Sequence, residues 1–409
     1  MRVKLLSFFR SLGPGLLFAG AAIGVSHLVQ STRAGADFGF GLIWALLIVN
    51  LFKYPFMQFG LRYAMATGDS LIDGYNKLGK GFLWAYFAIT FLTMFTIQAA
   101  VTIVTAGLAA NLFGVDISIT QWSMIITLFS LGLLLFGKYN LLDKVMKLVV
   151  LVLTICTIVA LGIAYFNYDG TVNLKQVFPE GAIEISFLIT FLGWMPAPLD
   201  VSVWQSLWTV EKRKSNKDFI GKRAFFDFNI GYVSTVFLGI CFLSLGALVM
   251  YGSEEVFSSS AGKFSQQLIN LYTKSLGKES AIFISLAAFT TMFSTTLTTL
   301  DASPRSMART TELLFNSSKS RSYLFWILFL VIGTMVILNF FLSNMATLIQ
   351  IATILSFLTA PFYAICNYVL IKSKHTPTSY RPGRIMHVWS VLGILFLIGF
   401  GVWYVLSLF

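Results

Sequence analysis

Two short stretches concentrate the residues able to hold a polar ligand in an otherwise apolar chain. They are Gly20-Ala-Ala-Ile-Gly24-Val-Ser26-His27 and Met195-Pro-Ala197-Pro-Leu-Asp200. The first offers an imidazole, a hydroxyl and a main chain left open at its glycines. The second offers a thioether, a carboxylate and two prolines, which remove backbone donors and interrupt a helix. Imidazole, thioether, carboxylate and carbonyl are donors that a transition-metal ion takes. His27, Met195 and Asp200 are therefore candidate metal ligands, with carbonyls near Gly24 and Ala197 beside them. A harder ion such as Mg²⁺ would use Asp200, the hydroxyls of Ser26 and Ser202, and retained waters. Against both, one carboxylate offsets little of a dication's charge. Each residue also has a structural reading: His27 as an interhelical hydrogen-bonding group, Met195 as core filler, Asp200 as the partner of His27 or Arg33. If the segment after Pro198 is helical, Asp200 lies a little over one turn along it.

Both stretches fall inside long hydrophobic segments. The 409-residue chain is 57% hydrophobic and 16% aromatic but only 11% charged, which excludes a soluble domain. Apolar runs of about 18 residues or more, each able to cross ~30 Å of hydrocarbon as a helix, recur from end to end. About eleven spans are expected, at roughly 12–31, 38–62, 82–112, 118–137, 144–167, 183–209, 228–251, 280–302, 322–342, 345–371 and 388–408. No signal-peptide cleavage pattern precedes them, and Met1–Arg10 reads as a basic amphipathic lead. The net charge of +12 is distributed by topology rather than for nucleic acid. Lys and Arg gather in alternate loops (Arg62, Lys77 and Lys80; Lys138 and Lys144; Lys212, Arg213, Lys214 and Lys217; Arg305 and Arg309; Lys372 and Lys374). Acids such as Asp169, Glu180, Glu254 and Glu255 balance the others. By the positive-inside rule the N-terminus is cytoplasmic and the C-terminus outside, in a cell or inner membrane. Cys156, Cys241 and Cys366 are scattered through apolar spans and read as small buried hydrophobes, not as a disulfide or thiolate framework. No cofactor is implied, and no Walker A sequence points to ATP.

The breaks carry the functional reading. A helix interrupted in hydrocarbon exposes backbone polar groups that cost several kcal/mol unless something satisfies them. Broken spans in matching positions of two halves mark the substrate site of a secondary transporter. Spans 1–5 (about 12–167) and 6–10 (about 183–371) form such halves within a single domain covering 1–409, with an eleventh span (388–408) appended. Five spans per half invert the second against the first. The loop at about 252–279 has room for a short surface helix.

Several motifs resemble the NRAMP family of divalent-metal transporters, which have the LeuT-type fold. They are Gly13-Pro14-Gly15; Phe38-Gly39-Phe40 with Asn50-Leu51, Gln58, Arg62 and Thr67-Gly68; Ala110-Asn111-Leu112-Phe113-Gly114; Met195-Pro196; Arg223 and Asp227; Ser294-Thr295-Thr296; and Ser356-Phe357 with Pro361-Phe362. The resemblance implies an all-α integral membrane protein with a LeuT-type 5+5 inverted repeat, spans 1 and 6 broken. It also locates departures. Where the family has Asp-Pro-Gly-Asn in span 1, this chain has Gly24, Val25, Ser26 and His27. In span 6 the methionine persists as Met195, but Ala197 and Pro198 stand where His and Asn are usual. The acids associated with proton movement align with Gln98 and Val101, and the span-10 glutamine falls near Thr359.

Four further residues are candidates for coupling or gating: Lys53, Gln98, Asp301 and Arg305. Lys53 either snorkels toward the cytoplasm or is a fixed cation standing in for a coupling ion. Asp301 and Arg305 form an i,i+4 pair on one helix face, with a gate as the alternative. The leading expectation is an NRAMP-like carrier of a small inorganic ion, a divalent cation of the Mn²⁺ or Mg²⁺ class, working by alternating access. The usual proton coupling is in doubt, and another coupling ion remains open. The substrate contacts would be Gly24, Ser26, His27, Met195, Ala197, Asp200 and Thr359. The alternative is a LeuT-fold carrier of an amino acid or small anion, for which the Gly-rich break and a less acidic cavity are suited. No nucleophile–base pair suggests an enzyme. The partners expected are the ion and the lipid bilayer, not nucleic acid. The sequence leaves the oligomeric state open.

Overall fold

A computed structural model of the chain describes residues 14–136, 139–168, 170–215, 221–252, 257–315, 319–341 and 344–409. The lead Met1–Arg10, Gly13, Lys138, Asp169, Lys217, Glu254 and Glu255 lie outside the described residues. The helices are α1 (Pro14–Ala22), α2 (Thr32–Phe38), α3 (Ile43–Thr67), α4 (Leu71–Leu78), α5 (Lys80–Phe113), α6 (Ile119–Phe136), α7 (Tyr139–Phe166), α8 (Ala182–Trp194), α9 (Val201–Ser215), α10 (Gly221–Val249), α11 (Ala261–Leu276), α12 (Ala281–Phe315), α13 (Lys319–Val336), α14 (Met345–Lys372) and α15 (Arg384–Leu406).

Among the described residues, eight continuous helices are long and apolar enough to cross a membrane. α7 and the two broken pairs, α1/α2 and α8/α9, supply the remaining spans, so eleven crossings follow the hydropathy pattern. Two helices lie between crossings. α11 occupies the 252–279 loop, as its length allowed. α4, eight residues long, was not expected. It is started by a capping box, in which Ser70 Oγ accepts from Asp73 N and Asp73 Oδ2 accepts from Ser70 N. Leu71, Ile72 and Tyr75 bury its apolar face.

The packing pairs reveal the repeat. Span 1 (α1/α2) lies on span 7 (α10) as span 6 (its half α9) lies on span 2 (α3). Span 3 (α5) packs on span 10 (α14) as span 8 (α12) packs on span 5 (α7), and spans 3 and 8 pack on each other. Adding five to each number in one half returns the pairings of the other, as two inverted five-span repeats require.

Small residues set the closest crossings. A side chain on Gly15 would meet Asp227 O at 2.2 Å, and one on Gly193 would meet Thr353 O at 2.3 Å. These backbones touch because nothing stands between them. The two largest apolar clusters form most of the interior. One runs through α3, α8, α9 and α14, the other through α5, α10, α11 and α12. The outward faces of α6, α13 and α15 expose Phe129, Ile332 and Leu395, as a lipid-facing surface would.

Candidate functional site

The first break falls at Gly24. α1 ends at Ala22, and Gly24 N reaches only Ala22 O (3.0 Å) before the chain resumes as a π-helical segment, Val25–Ser31, that leads into α2. Gly24 also has to be small. A Cβ there would lie 2.8 Å from Thr295 Oγ1 on α12. The wider π turn loosens the carbonyl ladder, and side chains compensate: Ser31 Oγ donates to Ser26 O at 3.1 Å, and Thr32 Oγ1 to His27 O at 3.5 Å.

Ser26 and His27 behave differently from one another. Ser26 Oγ lies 2.7 Å from Ala22 O and 3.3 Å from Pro196 O, so one hydroxyl spans both breaks. The His27 ring turns to α10, where Nε2 lies 2.9 Å from Thr235 O. A carbonyl only accepts, so Nε2 donates to it, while Nδ1 lies 2.7 Å from Ser26 Oγ and 3.1 Å from Ala22 O. The imidazole is fully buried, edge-on to Phe242, with both nitrogens engaged inside the protein.

The second break begins after Trp194. Met195 is extended, the Met195–Pro196 peptide is cis, and helix resumes only at Val201. Asp200 thus precedes α9 instead of lying a turn inside it, because Pro196 and Pro198 postpone the helix. This puts the carboxylate at the N-terminal end of α9, where the helix dipole favours negative charge. One of its oxygens, Oδ1, is buried without a hydrogen-bond partner among the described residues. Neither His27 nor Arg33 pairs with it. Arg33 has Asp37 as its electrostatic partner and lies over the Phe187 ring. Met195 is fully buried, and its sulfur faces α10, 3.5 Å from where a Cβ on Gly239 would stand.

Lys53 corrects the snorkelling expectation. Its side chain is fully buried and runs from α3 to the end of α8. Nζ donates to Gly193 O (2.7 Å), Leu192 O (2.8 Å) and Ala197 O (3.3 Å). Frayed carbonyls at a broken helix attract the ammonium more strongly than the distant interface does. Asp200 is its electrostatic neighbour.

Two adjoining cavities open at the breaks, with Ile97 and Pro198 in the wall of both. The polar one is lined by Asp200, Thr93, Ser356, Thr359, Tyr363, Ile97, Pro198 and Leu199. The larger has Ser26, Thr295 and Thr299 among mostly apolar walls that include Trp194, Trp204, Val25, Ala197 and Val201. Of the residues singled out from sequence, the structure brings Asp200 and Thr359 together in one cavity, and Ser26 and Ala197 in the other. His27 and Met195 line neither. Among the described residues no group of three or more His, Cys, Asp or Glu side chains is placed to hold a metal ion.

Gln98 is fully buried in a hydroxyl network between α5 and α12. Its Oε1 accepts from Thr299 Oγ1 (2.6 Å), and its Nε2 donates to Thr102 Oγ1 (3.2 Å) and Thr296 O (3.3 Å). Asp301 and Arg305 form the expected i,i+4 pair at 2.6 Å, and Tyr323 of α13 donates to Asp301 at 2.8 Å. Sequence reasoning missed Thr93, Tyr363 and the two tryptophans as cavity lining. Ser356, Thr359 and Tyr363, spaced i, i+3 and i+7, are a polar stripe on one face of an apolar helix, a signal that was available.

A family model described as "Natural resistance-associated macrophage protein-like" (Nramp) matches residues 15–407. The "Uncharacterized protein PM0681" of Pasteurella multocida is 34% identical over 401 residues, 96% of this chain and 91% of that protein. A "Divalent metal cation transporter MntH" of Staphylococcus saprophyticus is 26% identical over 260 residues, 61% of this chain and 57% of that protein. Among solved structures, a mutant of the Eremococcus coleocola manganese transporter superposes with a TM-score of 0.70 at 14% identity, covering 97% of this chain and 94% of its own. MhsT in complex with L-phenylalanine superposes with a TM-score of 0.64 at 13% identity, covering 97% of each chain. At these identities the two structures establish the LeuT-type fold and nothing about the ligand.

Proposed function

The chain belongs to the Nramp family, and on that premise we propose that it is a secondary transporter, not an enzyme, which carries a divalent metal cation across the membrane. The substrate site is the pair of cavities at the breaks, and transport is alternating access about α1/α2 and α8/α9. The observation that carries this reading is the buried Oδ1 of Asp200, unpartnered among the described residues, in a cavity that also holds the hydroxyls of Thr93, Ser356, Thr359 and Tyr363. Such an oxygen loses hydration with no replacement unless a ligand supplies it.

The donor set selects among metals. Imidazole and thioether are turned to α10, which leaves carboxylate, hydroxyl and carbonyl oxygens. A hard ion that keeps part of its water shell, Mg²⁺ ahead of the softer transition metals, suits such donors. Asp200 would hold it, with Thr359, Ser26 and the carbonyls near Gly24 and Ala197 ordering its waters. His27 and Met195 would fix the shape of the breaks against α10. Gln98 and Val101 supply no acid, so protons would not follow the span-3 route. Under the positive-inside rule the basic loops support an N-terminus in the cytoplasm and a C-terminus outside.

The test is uptake of Mg²⁺ and Mn²⁺ into dye-loaded proteoliposomes, with and without an imposed pH gradient. Saturable uptake, with Mg²⁺ preferred, is expected. No uptake of either by folded protein would end the cation reading. A second reading, a carrier of a small organic solute, is favoured by the apolar walls and tryptophans of the larger cavity. Binding of an amino acid or small anion unaffected by Mg²⁺ would select it.

A further inference from the structure

α8 ends inside the protein, so the carbonyls of its last turn have no partner within the helix and carry the negative end of its dipole. In broken-helix carriers, ends of this kind hold a cation. Here the chain supplies its own. Lys53 Nζ stands 2.7 Å from Gly193 O, 2.8 Å from Leu192 O and 3.3 Å from Ala197 O. Three acceptors around one nitrogen match the three N–H donors of an ammonium, and a neutral amine has only two. The side chain is fully buried, which leaves these carbonyls as the replacement for its water shell.

We infer that Lys53 is a tethered cation filling the place that a free monovalent cation would take at the α8 break, so that the carrier needs no bound Na⁺ or K⁺ to assemble its substrate site. The inference deepens the proposed function, since it assumes that the breaks are the working part of a carrier. Its geometry has two consequences. The charge on α3 holds α8 and the following segment, Met195–Asp200, in one arrangement, and a Na⁺ or K⁺ gradient has no site here through which to drive transport.

The test needs no knowledge of the substrate. The thermal midpoint of the purified full-length protein is measured in NaCl, KCl and choline chloride at equal ionic strength, for the wild type and for Lys53→Ala. The alanine variant is also measured with propylammonium chloride. Equal wild-type midpoints in the three salts are expected. The variant should be less stable in choline and should regain stability as Na⁺ or propylammonium is raised, because a ligand of the native state alone stabilises it increasingly with concentration. A wild type stabilised by Na⁺ or K⁺ over choline would overturn the inference, and so would a folded variant indifferent to every cation. If Lys53→Ala does not fold, the wild-type comparison decides alone, with Lys53→Arg expected to share its indifference to salt. Because no divalent ion enters the assay, failure of Mg²⁺ and Mn²⁺ uptake would leave this result standing, and the converse also holds.

Discussion

Gly60 seats α3, the helix that carries Lys53, against the first turn of α9, which Asp200 precedes. A Cβ added at Gly60 would stand 2.2 Å from Ser202 O and 3.4 Å from a Leu71 methyl carbon. Ordinary contact begins near 3.4 Å, so Gly60→Ala must part the two backbones by 3.4 − 2.2, or 1.2 Å. The obstacle is a main-chain carbonyl, which cannot rotate away as a side chain would. Overpacking of this kind costs about 1–3 kcal/mol. Against it, alanine is favoured over glycine in a helix interior by about 0.5–1 kcal/mol. The clash lies on backbone, which puts the first term near its upper end and leaves a net loss of about 2–2.5 kcal/mol. Gly399→Ala isolates the second term, because nothing lies within 4 Å of the added carbon. Thermal unfolding of the two variants in one detergent, followed by tryptophan fluorescence, should place Gly60→Ala a few °C below wild type (~2–3 °C) and Gly399→Ala at or slightly above it. Gly60→Ala should also slow uptake, since the contact seats the helix that carries Lys53 against the one that Asp200 precedes. A midpoint for Gly60→Ala equal to or above that of Gly399→Ala would refute the claim that this contact holds the site together.

Two further substitutions probe other parts of the scaffold. Asp227 accepts the Gly15 backbone N–H at 2.7 Å and so closes the start of α1. Asp227→Ala removes a buried hydrogen bond to a charged group and should cost about 1.5–3 kcal/mol, seen as faster hydrogen exchange in residues 16–22 than in α10. Unchanged exchange would show that α1 is held by packing alone. Gln98→Leu breaks the hydroxyl network of α5 and α12. It should lower the unfolding midpoint while leaving the response of uptake to an imposed pH gradient as in wild type, and a lost response would restore Gln98 to a coupling role.

Most of the fold was legible because the bilayer simplifies the problem: spans must be apolar, helical and about as long as the hydrocarbon is thick. The breaks were legible for the same reason, since Gly24 and the prolines at 196 and 198 stand where unbroken helix was the alternative. The helix α4 was missed because its signal, Ser70 followed by Asp73, is local and short. Side-chain destinations were the harder part. Residue spacing gives a side chain's direction only in regular helix, and Val25–Ser31 is π-helical, so counting along the chain did not reveal that His27 turns to Thr235 O on α10. Lys53 was misjudged because its distance from the interface was weighed and the carbonyls at the end of α8 were not. They meet it across 139 to 144 residues of sequence, a proximity only tertiary packing creates.

The central claim is that a divalent cation binds at the breaks through Asp200, and Asp200→Asn tests it most directly. The substitution keeps size and hydrogen-bonding capacity while removing the only carboxylate that lines either cavity among the described residues. Initial rates of Mg²⁺ uptake are compared in proteoliposomes holding equal amounts of folded wild type and variant. Saturable uptake in the wild type and at least a tenfold loss in Asp200→Asn is the predicted result, equivalent to ~1.4 kcal/mol of lost interaction. Equal uptake by the two proteins would contradict the account and place the cation elsewhere.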